Sequence, residues 1–145
     1  MMEITIREVQ LDDYIEIYQL NRDEMGYDYP MESTKEKLAK LISSNRDKIY
    51  VAVCGESIVG YVHANDYDTI YMPHMKNIMG IAVDASHKRQ GIGRRLLEKV
   101  EEWAKETGAE GVRLVSGSTR VGAHSFYRSC GYCGDKMQLN LKKMF

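Results

Sequence analysis

Residues 92 to 104 constrain the fold of this chain more than any other stretch. Ile92, Leu96, Leu97, Val100, Trp103 and Ala104 recur at steps of three and four, while Glu98, Lys99, Glu101, Glu102 and Lys105 fill the positions between. That period predicts a helix with one broad apolar face, which must lie against another element to be buried. Gly108 ends the pattern. Directly upstream, "NIMGIAV" (77 to 83) is apolar on both parities and reads as a central strand covered on both faces. The connection between strand and helix holds Gly91 and Gly93 among Lys88, Arg89, Arg94 and Arg95. Cations are misplaced at a helix N-terminus, whose unpaired amides already carry partial positive charge. They become sensible if a polyanion binds there, because those amides converge on one point and glycine lets a ligand approach the backbone. The loop is therefore expected to hold a phosphate-bearing ligand.

The rest of the chain supplies a sheet for that helix. "EITIREV" (3 to 9) alternates with the strand period, and Asp12 or Asp13 is placed to cap a helix carrying Tyr14, Ile17, Tyr18 and Leu20. A second helix is expected from Ser33 or Thr34, with Leu38, Leu41 and Ile42 facing inward. "KIYVAVC" and "SIVGYVHAND" flank the turn "GES" as a hairpin. "GVRLVSG" (111 to 117) reads as another buried strand. A helix capped by Ser118 or Thr119 and closed by Gly131 follows, and "KMQLNLKK" alternates as a last strand. The expected fold is α+β: a mixed, mostly antiparallel sheet of six to seven strands with about four helices on both faces. Residues 1–145 read as one domain.

Composition narrows the function classes. The chain has 145 residues, 43% of them hydrophobic, and a formal net charge of −1. Such a length suits one domain with a real core, and near-neutral charge argues against a nucleic-acid partner. "MMEITIREVQ" lacks a signal-peptide core and no stretch approaches the roughly 18 apolar residues of a membrane span, so no membrane partner and a cytoplasmic location are expected. Three cysteines, an odd number, fit a reduced compartment. The Walker phosphate loop needs a Gly-Lys-Ser/Thr ending that "RQGIGRR" lacks. The dinucleotide fingerprint needs a third glycine where Leu96 stands.

The stretch "IAVDASHKRQGIGRRLLEKVEEWA" resembles the acyl-coenzyme A signature of the GNAT superfamily of N-acetyltransferases, whose pattern is Arg/Gln-x-x-Gly-x-Gly/Ala after a central strand. "AHSFYRSCGY" is similar to its second signature, Ala-x-x-Phe-Tyr-x-x-x-Gly-Phe, and "ITIREVQLDDY" to its usual first strand and helix. The resemblance implies an acetyl-CoA-dependent N-acetyltransferase that passes the acetyl group directly to a primary amine of a small molecule or protein, with no metal. Ile81, Ala82 and Val83 would offer strand backbone to the pantetheine arm and the acetyl carbonyl. Amides across Arg89, Gln90, Gly91, Ile92, Gly93 and Arg94 would hold the pyrophosphate. Tyr127 would be the acid that protonates the departing thiolate, with Phe126 given to packing.

The chain departs from the pattern in places. Lys88 stands where the family commonly has Arg or Gln, and Arg120 where some members place an Asn. Neither "NIMGIAV" nor "GVRLVSG" contains the acid that many members use to deprotonate the amine. The general base is thus unassigned, with His63 and His74 as candidates. The region "NRDEMGYDYPME" (21 to 32) often lines the acceptor side in the family. Its Asp23, Glu24, Asp28 and Glu32, with Tyr27 and Tyr29, suit a cationic amine. Two other readings stay open: a non-catalytic acyl-CoA sensor, and a thiol redox protein built on "CGYC" (130 to 133). Against the second, the cysteine pair falls at a helix C-terminus, where the field opposes thiolate formation. The terminal strand could also offer an edge to a second copy, so a homodimer is possible.

Overall fold

In the computed structural model, which describes residues 3–145, the alternating and doubly apolar runs pair into one five-stranded sheet in the order β1-β2-β3-β4-β5. The strands are β1 (Ile4–Glu8), β2 (Asp47–Cys54), β3 (Ser57–Tyr67), β4 (Met75–Val83) and β5 (Gly111–Leu114). The first four run antiparallel; β4 and β5 are parallel, as the crossover through the Trp103 helix requires. The helices are α1 (Tyr14–Met25), α2 (Met31–Ile42), α3 (Ile92–Glu106) and α4 (Val121–Ser129). The chain divides into two compact units, Met1–Leu114 and Val115–Phe145.

In the first unit, the pleat of β2 sends its side chains to two cores. Ile49 and Val51 join Ile17 and Leu20 of α1, Leu38 of α2, and Ile58 and Tyr61 of β3. The opposite face receives α3: a Cβ on Gly60 would lie 3.4 Å from side-chain atoms of both Ile92 and Leu96, so glycine here lets the helix approach closely. All six residues that define the period of α3 are buried. The helix is entered from Gly91 (φ +77°) and left through Gly108 (φ +79°), both in the left-handed region where glycine is unstrained.

Beneath α3 lies a polar feature that periodicity did not reveal. Lys76 of β4 is 2% exposed, and its ammonium sits 3.8 Å from the centre of the Trp103 ring while donating to Asp66 of β3. His74 also meets Asp66, at 3.1 Å. A buried cation is tolerated only when paired in this way. Burial alone would raise the Asp66 pKa, but hydrogen bonds from Lys76 and His74 outweigh it and hold the carboxyl below the ordinary aspartate range.

Several expected boundaries are corrected. α2 begins at Met31 rather than at Ser33 or Thr34, because Pro30 with φ fixed at −53° opens the turn; the Thr34 hydroxyl donates back to Pro30 O at 3.0 Å. Ile42, expected inward, is exposed. Asp13 occupies the cap position of α1, but its carboxylate turns back to Gln10 N at 2.8 Å and to the Arg7 guanidinium at 2.9 and 3.0 Å. Arg7 thereby carries a two-pronged ion pair that ties β1 to the start of α1. β4 is not covered on both faces throughout, since Met79 is exposed.

In the second unit, α4 starts at Val121 after Arg120, and neither Ser118 nor Thr119 caps it. It closes at Gly131 (φ +95°), with Tyr132 N donating to Tyr127 O at 3.0 Å. β5 stops at Leu114 instead of running to Gly117, and residues 136 to 143 form no strand. The sheet therefore has five strands among the described residues, not six to seven. Alternation in "KMQLNLKK" is necessary for a strand but not sufficient, because a strand exists only where a neighbour takes up its backbone groups; Met137, Leu139, Leu141, Met144 and Phe145 are exposed.

The Lys76 pair makes the first prediction. A carboxyl whose folded pKa is depressed adds stability above its unfolded pKa of about 3.9, and that stability disappears as pH falls through the folded value. Asp66→Asn should cost about 2 kcal/mol at pH 7, less than the roughly 3 to 5 of a fully buried pair because the amide oxygen still accepts and Trp103 remains. Urea unfolding between pH 7 and pH 3 should show the variant losing less stability on acidification than the native protein.

Candidate active site

The pairing of β4 is asymmetric. Its β3 side is paired from Met75 to Val83, whereas β5 pairs with it only from Met75 to Ile78. From Met79 to Val83, β4 therefore has a strand neighbour on one side alone among the described residues, and Ile81, Ala82 and Val83 lie in that stretch. The change coincides with a β-bulge: His63 faces Gly80 and Ala64 faces Ile78, so Met79 is an extra residue on β4. A bulge of this kind bends the strand and re-aims its backbone groups.

Where β4 ends, Asp84 organises the descent toward α3. Its backbone N–H donates to Val59 O at 2.8 Å. Its carboxylate takes hydrogen bonds from Ser86 and His87, which lower its pKa. A single helical turn, Ala85–His87, follows. Arg89 then adopts φ +66°, a left-handed conformation rare outside glycine, and Gly91 does so at +77°. The first intrahelical bond of α3 runs from Arg95 N to Gly91 O at 3.1 Å. The amides of Ile92 and Gly93 precede it at the positive end of the helix dipole. Arg89, Gln90, Gly91 and Arg94 are exposed, Gly93 is half-buried, and the Ile92 side chain is buried as part of the core.

The basic residues of this turn are not equivalent. Arg95 donates to Ile4 O at 2.8 Å and so serves β1. Lys88 lies 3.5 Å from Glu24, whose other oxygen accepts the Ala85 N–H at 3.0 Å. Glu24, one of the acids read as suiting the acceptor, is engaged with the turn from α1. Its neighbours are also engaged: Asp23 pairs with Arg22 at 2.8 Å, and Asp28 accepts the Tyr18 hydroxyl at 2.8 Å. Helix α1 runs to Met25, so the true loop is only residues 26 to 30.

Beside the bulge, Met25, Tyr27, Tyr29, Tyr61, His63 and Met79 line a cavity of about 360 Å³ that also reaches Asn21 and Gly80. Burial pushes the Tyr61 phenol up to about 12, so it stays neutral and donates to the Asn21 side-chain oxygen. His63 Nε2 lies 2.7 Å from Asp47 Oδ1, with 18% and 14% of the two side chains exposed. The two candidate bases thus separate. His63 faces the cavity, whereas His74 belongs to the Asp66 and Lys76 cluster. Sequence spacing could not have found Asp47, which the β2–β3 register alone brings to His63.

Within the second unit, Tyr127 sits on α4 with ring centres 5.3 Å from Phe126 and 6.4 Å from Tyr132. Burial raises its pKa, more than Arg120 lowers it. It is a protonated phenol at neutral pH, the state required of a proton donor. Cys130 caps the C-terminal end of α4 and Cys133 is exposed; both are free thiols, as is Cys54. The pair lies at the C-terminal end of α4 and not at a helix N-terminus, so the geometry gives the redox reading no support.

Comparison with known proteins defines the class. The model of the Acetyltransferase (GNAT) family matches residues 14–132, and the chain belongs to that family. An uncharacterized N-acetyltransferase of Methanocaldococcus jannaschii is 32% identical over 139 residues, covering 88% of this chain and 60% of that protein. The chain spans 24% to 60% of the length of the first curated relatives it matches. Among solved structures, an aminoglycoside N-acetyltransferase, AAC(6')-Iy, in complex with CoA superposes with TM-score 0.88 at 13% identity, covering 99% of this chain and 96% of that one. A transcriptional regulator from Bacillus halodurans gives 0.87 at 24% identity, covering 97% and 100%. At these identities the likeness shows the fold.

The turn geometry yields a second prediction. A Cβ at Gly91 would meet nothing within 4 Å, so Gly91→Ala carries backbone strain without a clash. It should cost about 1 to 2 kcal/mol in denaturant unfolding, the left-handed penalty of a residue with a side chain. Gly91→Asn should lose clearly less, since asparagine tolerates that conformation.

Proposed function

We propose that the chain transfers an acetyl group from acetyl-CoA to a primary amine. The observation that carries this reading is the loss of the β5 neighbour along Met79–Val83, immediately before a turn with two left-handed residues and the positive end of α3. An extended pantetheine arm can take the place of the missing strand, bonding to the backbone of Ile81, Ala82 and Val83. A diphosphate suits the amides from Arg89 to Arg94, where a fixed dipole and close backbone approach favour an anion. The residues therefore fit coenzyme A in chemistry and in order along the chain.

In this reading the amine nitrogen attacks the thioester carbonyl carbon. Backbone donors on β4 stabilise the charge that develops on the carbonyl oxygen, the carbon–sulfur bond breaks, and Tyr127 gives its proton to the sulfur. The Tyr127 pKa, raised by burial, keeps that proton available across the neutral range. AAC(6')-Iy, which shares the fold, has been solved with CoA and with a bisubstrate analogue, CoA-S-monomethyl-acetylneamine; the first supports coenzyme A as the ligand here, and the second supports direct transfer between two bound substrates.

Calorimetric titration with acetyl-CoA should register binding, and no heat at saturating concentration would contradict the reading. Tyr127→Phe should lower kcat by about 10²- to 10⁴-fold, the usual contribution of a general acid, with the acetyl-CoA dissociation constant unchanged. Thiol release with an amine panel measures the first quantity, and calorimetry the second.

A further inference from the structure

The cavity beside the bulge has a chemistry of its own. Three tyrosine rings and the thioethers of Met25 and Met79 dominate its lining, and none of the described residues that line it is Asp, Glu, Lys or Arg. Its volume of about 360 Å³ falls at the small end of ligand pockets. Of the carboxylates nearby in sequence, Asp23 pairs with Arg22, Glu24 accepts the Ala85 amide, Asp28 accepts the Tyr18 hydroxyl and Glu32 is exposed on α2, and none of the four lines the cavity. A polycation would thus leave its second and third charges beside rings and sulfur atoms without a carboxylate partner, at a cost in desolvation. A single amine has one polar station, His63. A carboxylate only accepts hydrogen bonds, so Asp47 fixes the His63 tautomer with the proton on Nε2 and the lone pair on Nδ1.

We propose that this cavity admits a primary monoamine borne on an apolar body of aromatic size, and that His63, oriented by Asp47, receives the proton the amine loses; the proposal rests on the acetyl-transfer reading above. The balance is complete. The entering ammonium first gives one proton to solvent water; as the carbon–nitrogen bond then forms, the neutral nitrogen becomes cationic, and its surplus proton passes to His63 Nδ1. The carbon–sulfur bond breaks, and the sulfur takes a proton from Tyr127. No oxidant, reductant or metal enters. The tyrosine rings hold the body of the amine by stacking and, while it is still an ammonium, by attraction of the cation to their faces.

The test compares 2-phenylethylamine, spermidine and kanamycin as acceptors at saturating acetyl-CoA, following thiol release. It also titrates 2-phenylethylamine calorimetrically into protein saturated with CoA, where no turnover occurs. The expected result is a kcat/KM for 2-phenylethylamine about tenfold or more above that for spermidine, about 1.4 kcal/mol of discrimination. Tyr27→Ala, at an exposed position where folding is not at risk, should raise KM for 2-phenylethylamine several-fold with acetyl-CoA binding intact. His63→Gln should lower kcat by about 10²-fold with KM little changed, a split that a merely structural role would not produce. Preference for spermidine or kanamycin, or no heat with 2-phenylethylamine, overturns the substrate class. Unchanged kcat in His63→Gln overturns the proton role. Failure of acetyl-CoA itself to bind is a separate result, and it removes the underlying reading instead.

Discussion

The burial of α3 against the sheet is the constraint on which everything else depends. Ile92, Leu96, Leu97, Val100, Trp103 and Ala104 together present a large apolar surface to the β2–β3–β4 face, the isoleucine, leucine and valine side chains each contributing roughly 1.5 to 3 kcal/mol when fully buried. Once that face is seated, the N-terminus of α3 has no freedom to wander. It must lie one short turn beyond the end of β4, and the positive end of its dipole is thereby delivered next to β4's backbone. Gly60, by omitting a side chain, sets how closely the helix sits.

The unpaired stretch of β4 follows from the same arrangement. A parallel neighbour must come from the far side of α3, and β5 supplies only Gly111–Leu114 before the chain leaves the sheet. The bulge at Met79 marks the point where β4 parts from it. A strand that keeps unsatisfied backbone groups is normally a liability. Placed beside an electropositive turn, it is the feature on which the proposed coenzyme A site rests. The His63 and Asp47 pair and the tyrosine-lined cavity lie at the other end of that stretch, so the glycine turn and the cavity occupy opposite ends of one short length of β4.

How much of this was legible in the sequence depended on whether the signal was local. The period of α3, its glycine boundaries and the β2–β3 hairpin came from residue types at fixed spacing, and the structure keeps them. The glycine turn before α3 was legible because glycines and cations are anomalous at a helix start, although only the structure separates Lys88 and Arg95, engaged with Glu24 and Ile4, from exposed Arg89. The terminal "KMQLNLKK" failed as a strand because pairing is non-local and alternation cannot supply a partner. Lys76 under Trp103, and Asp47 behind His63, were invisible for a related reason: strand register and a crossover helix bring them together across long separations. The acids of residues 21 to 32 looked like an acceptor surface in the sequence, yet each of Asp23, Glu24 and Asp28 has a partner that one-dimensional reading could not assign.

The most direct test of the central claim is amide hydrogen exchange with and without saturating acetyl-CoA. The account places ligand contacts on main-chain groups, so the amides of residues 81 to 83 and 90 to 93 should exchange more slowly in the complex while those of β1 and β2 remain as they were. Unchanged exchange at both segments under conditions where the ligand is bound, with protection appearing elsewhere, would contradict it.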